Sequence, residues 1–180
     1  ITQGGKHMIT TLNDLITEIR DKRIGKKVVL ATGTFDLFHY EHLKYLEGAK
    51  KQGDILVVAI KNNKCAGLKG DGRPIIDEKQ RIEIVDSIKC VDYSILVDYN
   101  PEISLEINPD NEAQKEWLII FKEVFKELKP DILYYEDNPK LQTARDQVFK
   151  KYNITGVIKP RGKGASTTEI IKKILDNYNN

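Results

Sequence analysis

Sulfur and histidine are scarce in this chain. Its 180 residues include two cysteines, one methionine and three histidines. Cys65 and Cys90 lack metal-ligand spacing, which excludes a zinc cluster or a disulfide framework and points to a reducing compartment. No run approaches the roughly 18 apolar residues of a membrane span, and no signal-peptide core appears. Neither sign of charge dominates: 29 basic against 27 acidic residues leave a net +2, which argues against a duplex-DNA or polybasic membrane partner. A GxGxxG fingerprint and a P-loop are both missing, so dehydrogenase and kinase readings fall away. The expectation is a cytoplasmic protein that engages neither nucleic acid nor membrane, with a length that suits one domain.

Ile1 to His7, ahead of Met8, shows no periodicity and is expected to be a vector-derived leader, with residues 8–180 forming the domain. A capping box at Thr11 opens a short helix that Gly25 stops. Strands are predicted at 27–32, 55–60, 93–97, 132–135 and 154–158. They are continuous apolar runs without alternation, as strands buried on both faces should be. Helices are predicted at 40–52, from an Asp77 cap with Gln80 completing a capping box, over most of 100–129, at 141–152, and from Ser166 to about 177. Polar, glycine-rich residues 61–73 read as a loop. Strand and helix alternate throughout. This predicts an α/β fold: a Rossmann-like, parallel five-stranded sheet with helices on both faces and a helical insertion near 101–128. Trp117, Phe121 and Phe125 give that insertion a wider apolar face than one partner requires, so a subunit contact is expected there.

The chemistry concentrates after the first strand, in GTFDLFHYEH (Gly33 to His42). A glycine turn leads into a helix whose start carries His39 and His42, the two histidines outside the leader. A helix N-terminus offers unpaired N–H groups and the positive end of a dipole, a natural phosphate site, and two imidazoles can add donors. Another candidate stretch is LKGDGRP (Leu68 to Pro74) with Arg81 following. The third is RGKGASTT (Arg161 to Thr168). All three leave strands at the carboxyl end, where open α/β sheets bind ligands.

The Gly33 to His42 stretch resembles the signature of the cytidylyltransferase-like nucleotidyltransferases, usually written GTFD-x-x-H-x-G-H. The Leu68 to Arg81 stretch resembles the K-G-x-x-R-P…R segment of the heptose 1-phosphate adenylyltransferase branch. The Arg161 to Thr168 stretch is similar to the R-T-x-G-x-S-T-T motif of glycerol-3-phosphate cytidylyltransferases. The resemblance implies a nucleotidyltransferase that joins ATP or CTP to a phosphorylated sugar or alcohol and releases pyrophosphate. Its alternatives are an FAD synthase-type adenylyltransferase and a nucleotide-binding module that has lost catalysis. His39, His42 and Lys69 are the implied catalytic residues. Gly33, Thr34, Phe35, Arg161, Ser166, Thr167 and Thr168 are implied at the nucleotide, and Arg73 and Arg81 at the acceptor, while Asp36 is either structural or faces the acceptor. The resemblance further implies Mg²⁺ carried with the nucleotide, no protein metal site, and a homodimer.

Two acidic departures stand out against these motifs. Glu41 replaces the glycine between the histidines, and Glu136 and Asp137 follow the fourth strand where relatives carry glycine–Asp–aromatic. A carboxylate about 4 Å from a phosphate, at an effective dielectric near 20, is repelled by about 4 kcal/mol. Glu41 and Glu136 are therefore expected to face ribose hydroxyls or a base amino group.

Overall fold

The computed structural model describes residues 11–68, 70–102, 104–160, 162, 164 and 166–178. The expected leader lies outside these residues, as do the candidates Lys69 and Arg161. The apolar runs form β1 (Val28–Gly33), β2 (Ile55–Lys61), β3 (Tyr93–Val97), β4 (Ile132–Tyr135) and β5 (Thr155–Ile158). All pairings are parallel, in the order β3-β2-β1-β4-β5. β1 lies at the centre, in register with β2 through Val28 opposite Ile55 and with β4 through Val29 opposite Ile132. The strand order reverses beside β1, and at such a point the connections leave in opposite directions and open a crevice.

Between the strands run α1 (Leu12–Ile19), α2 (Tyr40–Lys50), α3 (Asn63–Gly67), α4 (Glu78–Asp86), α5 (Glu112–Leu128), α6 (Gln142–Tyr152) and α7 (Thr167–Tyr178). Side chains alternate across the sheet. Leu30, Val57 and Leu133 pack with α1, α5 and α6 on one face. Val29, Val58 and Tyr134 pack with α2 and α4 on the other. Helix starts are capped by side chains that satisfy otherwise unpaired N–H groups. Thr11 accepts from Asp14 N at 3.2 Å and Asn111 from Gln114 N at 3.0 Å. Asp77 also caps its helix, but through Lys79 N at 2.9 Å; Gln80 takes no part.

Two segments differ from expectation. The stretch read as a loop contains α3, because Asn62 caps it at Cys65 N and Cys65 and Ala66 are buried against the sheet. The insertion is irregular where described over 98–111, and its helix begins only at Glu112. The expected subunit contact on that helix is overturned. Trp117, Phe121 and Phe125 are 7%, 1% and 0% exposed within their own chain, with the Trp117 and Phe125 rings 5.1 Å apart. The face is wide because α5 packs against the sheet, α1 and α6 together. Among the described residues no helix is long and apolar enough to cross a membrane.

An internal Phe121 makes a stability prediction. Phe121→Ala should cost about 3–5 kcal/mol through lost burial and a residual cavity. Urea denaturation should give the same loss at every protein concentration, whereas a side chain in a subunit contact would make the loss concentration-dependent.

Candidate active site

β1 ends in a turn whose geometry follows from its side chains. The Phe35 ring lies over Gly33, where a Cβ would stand 2.8 Å from it, so no other residue fits there without moving the ring. Phe35 and Leu37 adopt left-handed backbone, φ 55° and 44°, each at a cost on the order of 1 kcal/mol. Asp36 holds the turn. Its carboxylate, in a residue only 4% exposed, accepts from Ile75 N at 3.0 Å and Ile76 N at 2.9 Å and pairs with Arg73 at 3.3 Å. Burial works against its charge, but the two N–H groups and Arg73 outweigh burial and hold the carboxyl below its ordinary range. Asp36 therefore has an organising place, not one facing an acceptor.

Arg81, expected at the acceptor, is corrected by the same reasoning. It is fully buried, donating through Nη1 to Thr34 O at 2.5 Å and Lys61 O at 2.7 Å, and through Nε to Ile76 O at 2.9 Å. Its Nη2 reaches Asn63 Oδ1 at 3.1 Å. The guanidinium positions the loops after β1 and β2 and is not open to a phosphate.

The turn delivers His39 as the residue capping α2. The His39 N–H donates to Nδ1 of His42 at 3.4 Å, which places the His42 proton on Nε2 in its neutral form. The two rings stack with centroids 3.8 Å apart. From α7, Thr167 Oγ1 donates to Asp36 O at 3.1 Å, so His39 Nε2, 3.2 Å from the same oxygen, is the donor to it. Nδ1 of His39 points toward the His42 N–H without making a hydrogen bond. Burial, above all, lowers the His39 pKa and favours the neutral imidazole. The Thr34 hydroxyl is also buried, without a hydrogen-bond partner among the described residues.

Thr167 and Thr168 belong to the start of α7. Ser166 caps that helix through a reciprocal pair: its Oγ accepts from Glu169 N at 3.3 Å, and its N–H donates to Glu169 Oε2 at 2.6 Å. Thr168 Oγ1 accepts from Arg73 at 3.4 Å. Two helix N-termini, residues 39–42 and 166–168, thus converge on one rim with stacked imidazoles between the hydroxyls and the turn. Such an arrangement presents N–H donors and dipole ends to an anion.

Beside this rim lies a cleft of about 620 Å³ lined by Tyr40, Glu41, Lys44, Tyr134, Lys159 and Pro160. Glu41 lines this cleft with its carboxylate engaged by protein groups. Its carboxylate accepts from Gly164 N at 2.8 Å and pairs with Lys159 at 3.2 Å, and these two partners, in that order, lower its pKa. Lys159, whose side chain is 8% exposed, also pairs with Glu136 at 3.0 Å. Burial alone would lower the lysine pKa; the carboxylates Glu136 and Glu41 raise it instead. Asp137 is exposed on the same rim.

Sequence motifs pass over three residues of this neighbourhood. Lys159 carries no motif; its one signal is its place between a strand and a glycine-rich loop. Tyr45 joins α2 to the sheet, its buried hydroxyl donating to Tyr134 O at 2.7 Å and accepting from Thr32 N at 3.1 Å. Arg145 stacks 4.1 Å over Tyr135 and donates to Glu136 O at 3.2 Å, fixing the loop after β4. Among the described residues no cluster of histidine, cysteine or carboxylate side chains could hold a metal ion.

An all-parallel sheet that reverses beside β1, with two helix N-termini and paired imidazoles at the reversal, has the build of an α/β protein that binds its ligand at the strand-order reversal. A profile of cytidylyltransferase-like proteins matches residues 30–173, and the chain belongs to this family of nucleotidyltransferases. It is 32% identical over 161 residues to the bifunctional protein HldE of Syntrophotalea carbinolica, covering 88% of this chain but 29% of that protein. It is 35% identical over 154 residues to the FAD synthase of Archaeoglobus profundus, covering 82% of this chain and 86% of the relative. A lipopolysaccharide core biosynthesis protein of Thermoplasma volcanium superposes with a TM-score of 0.56 at 28% identity, over 77% of this chain and all of that one. A pantoate-beta-alanine ligase of Francisella tularensis shares the fold, with a TM-score of 0.64 at 20% identity over 94% of this chain and 78% of its own.

The depressed Asp36 pKa sets a pH dependence. Its contribution to stability is fully present above the unfolded carboxylate pKa, near 3.9, and is lost as pH falls through the lower folded value. Asp36→Asn should lower stability by about 2–3 kcal/mol at pH 7 through weakened charge-assisted hydrogen bonds. Denaturant midpoints measured from pH 7 down to pH 3 should show a shallower acid decline in this variant than in wild type.

Proposed function

We propose that this domain joins a nucleoside triphosphate, ATP or CTP, to a small phosphorylated sugar or alcohol, with release of pyrophosphate. The observation that carries the reading is the convergence of two helix N-termini on His39 and Thr167, 3.2 Å apart. An oxygen of the acceptor phosphate attacks the α-phosphorus. The bond from that phosphorus to the bridging oxygen of the β-phosphate breaks, and pyrophosphate leaves with the electron pair. The attacking oxygen is already ionised, so the site needs no strong base, and rate comes from orientation and from donors placed where charge develops. His42 Nε2–H and the N–H groups opening α2 and α7 supply such donors, joined by Lys69 as the family motif implies. The nucleoside occupies the cleft among Tyr40, Tyr134 and Pro160. Magnesium, where it accompanies the nucleotide, would supply charge neutralisation at the phosphates, and its preference for retaining waters means that it would need few protein ligands. Among the described carboxylates near the rim, Asp36 is engaged by N–H groups and Arg73, and Glu41 by Lys159 and Gly164.

The Archaeoglobus relative, matched over most of its length, supports ATP as the nucleotide and a second acceptor reading, flavin mononucleotide. A homodimer belongs to the same proposal, with its contact moved from α5 to β5 and α7. β5 exposes Ile158, and α7 buries no side chain while leaving Ile174, Leu175 and Tyr178 exposed.

The test is pyrophosphate release with ATP and with CTP against sugar, polyol and aminoalcohol phosphates and flavin mononucleotide. One nucleotide–acceptor pair should turn over. Nucleotide binding without release from any acceptor would instead support the non-catalytic module. With the active pair, His42→Ala should lower kcat by roughly 10²–10³ with little change in KM, as loss of one charge-stabilising donor does. Near-full turnover by a folded His42→Ala protein would remove that residue from the mechanism.

A further inference from the structure

The donors around Glu41 are those a phosphate oxygen would take. Lys159 brings an ammonium held among protein groups, and Gly164 brings a backbone N–H from a loop with glycine at 162 and 164. Backbone N–H groups of such loops and buried cations are common anion partners. Here the space is already filled. The Glu41 carboxylate lies directly against Gly162 and Gly164, where a Cβ could be added only if that side chain moved. The carboxylate also links α2 to Gly164, and through Lys159 to Glu136 after β4.

We infer that Glu41 is a positioning residue: its carboxylate stands in for a ligand anion between Lys159 and Gly164, tying Gly164 to α2 and denying that place to the nucleotide phosphates. The triphosphate is thereby confined to the rim of His39, His42 and Thr167, while the adjoining cleft receives the uncharged nucleoside. The family glycine at this position would leave Lys159 and Gly164 open to a phosphate and the triphosphate free to enter in a shifted register. The kinetic consequence rests on the nucleotidyl-transfer reading; the anion-binding consequence does not.

The experiment uses the full chain and inorganic pyrophosphate as probe, by titration calorimetry at low and moderate salt, on wild type, Glu41→Gly, Glu41→Gln and Glu41→Gly/Lys159→Met. Circular dichroism melts confirm the fold. Glu41→Gly should gain a second pyrophosphate site, or at least a roughly tenfold rise in affinity, weakened by salt as a charge-driven contact should be. Glu41→Gln keeps an acceptor for Gly164 N–H but no charge for Lys159, and should fall between. The double variant should lose the gain, locating the anion at Lys159. With the active nucleotide, Glu41→Gly should raise KM and lower kcat together, as misregistered substrate does. Pyrophosphate affinity unchanged in both Glu41 variants, or a gain that survives Lys159→Met, would overturn the inference. So would a Glu41→Gly enzyme with lower nucleotide KM and faster turnover, because Glu41 would then be an obstruction. If no variant turns over any nucleotide, the pyrophosphate titrations still decide the matter.

Discussion

One sealed guanidinium underlies the geometry of the rim. Arg81 reaches carbonyls after β1, at the end of β2 and ahead of α4, together with the Asn63 amide in α3. Burying a cation is costly, by several kcal/mol, and tolerable only when its N–H groups find acceptors. The carbonyls that accept gain charge-assisted hydrogen bonds in return. Each side of the exchange stabilises the other, so the loops have little freedom to rearrange separately. The left-handed turn at Phe35 and Leu37 can persist because Arg81 holds its Thr34 carbonyl from below and Asp36 anchors it to Ile75 and Ile76. A strained turn fixed from two directions aims the capping His39 and stacks it on His42.

Electrostatics on the neighbouring side follow a different logic. Two carboxylates near the triphosphate proposed for this rim would repel it. Lys159 lies between Glu41 and Glu136 and offsets much of that field before any ligand arrives. The acidic residue that departs from the family signature is thus accompanied by a cation that no motif marks. Their pairing turns a hostile charge into a structural tie across the mouth of the cleft.

Legibility in the sequence varies with the range of the interactions involved. β3 and β4 stand at the predicted residues because a continuous apolar run between turns admits little else. Glycine at 33 and the caps at Thr11 and Asp77 depend on neighbours a few residues away, and they too are readable, though Asp77 pairs with Lys79 and not through Gln80. α5 misleads because the width of an apolar stripe does not reveal whether its partners are subunits or helices of the same chain. Arg81 is legible as important but not in its task, since its acceptors lie up to 47 residues away along the chain. Lys159 is silent for the same reason: what distinguishes it from other lysines is Glu41, 118 residues earlier.

The distance along the chain between the two halves of the rim has a consequence for assembly. His39 and Thr167 stand 128 residues apart in sequence and meet in one hydrogen bond. Contacts of such separation form late, because the intervening chain must first be ordered to bring the ends together. During vectorial synthesis the histidine turn leaves the ribosome long before α7 exists, and β1 must wait for both β2 and β4 before it is flanked. A nascent chain that has completed β4 therefore already possesses the crevice but only one of its two anion-binding helix ends. A nucleotide bound between the two helix ends, as proposed above, would therefore meet its full set of partners only once α7 has formed and Thr167 has reached His39.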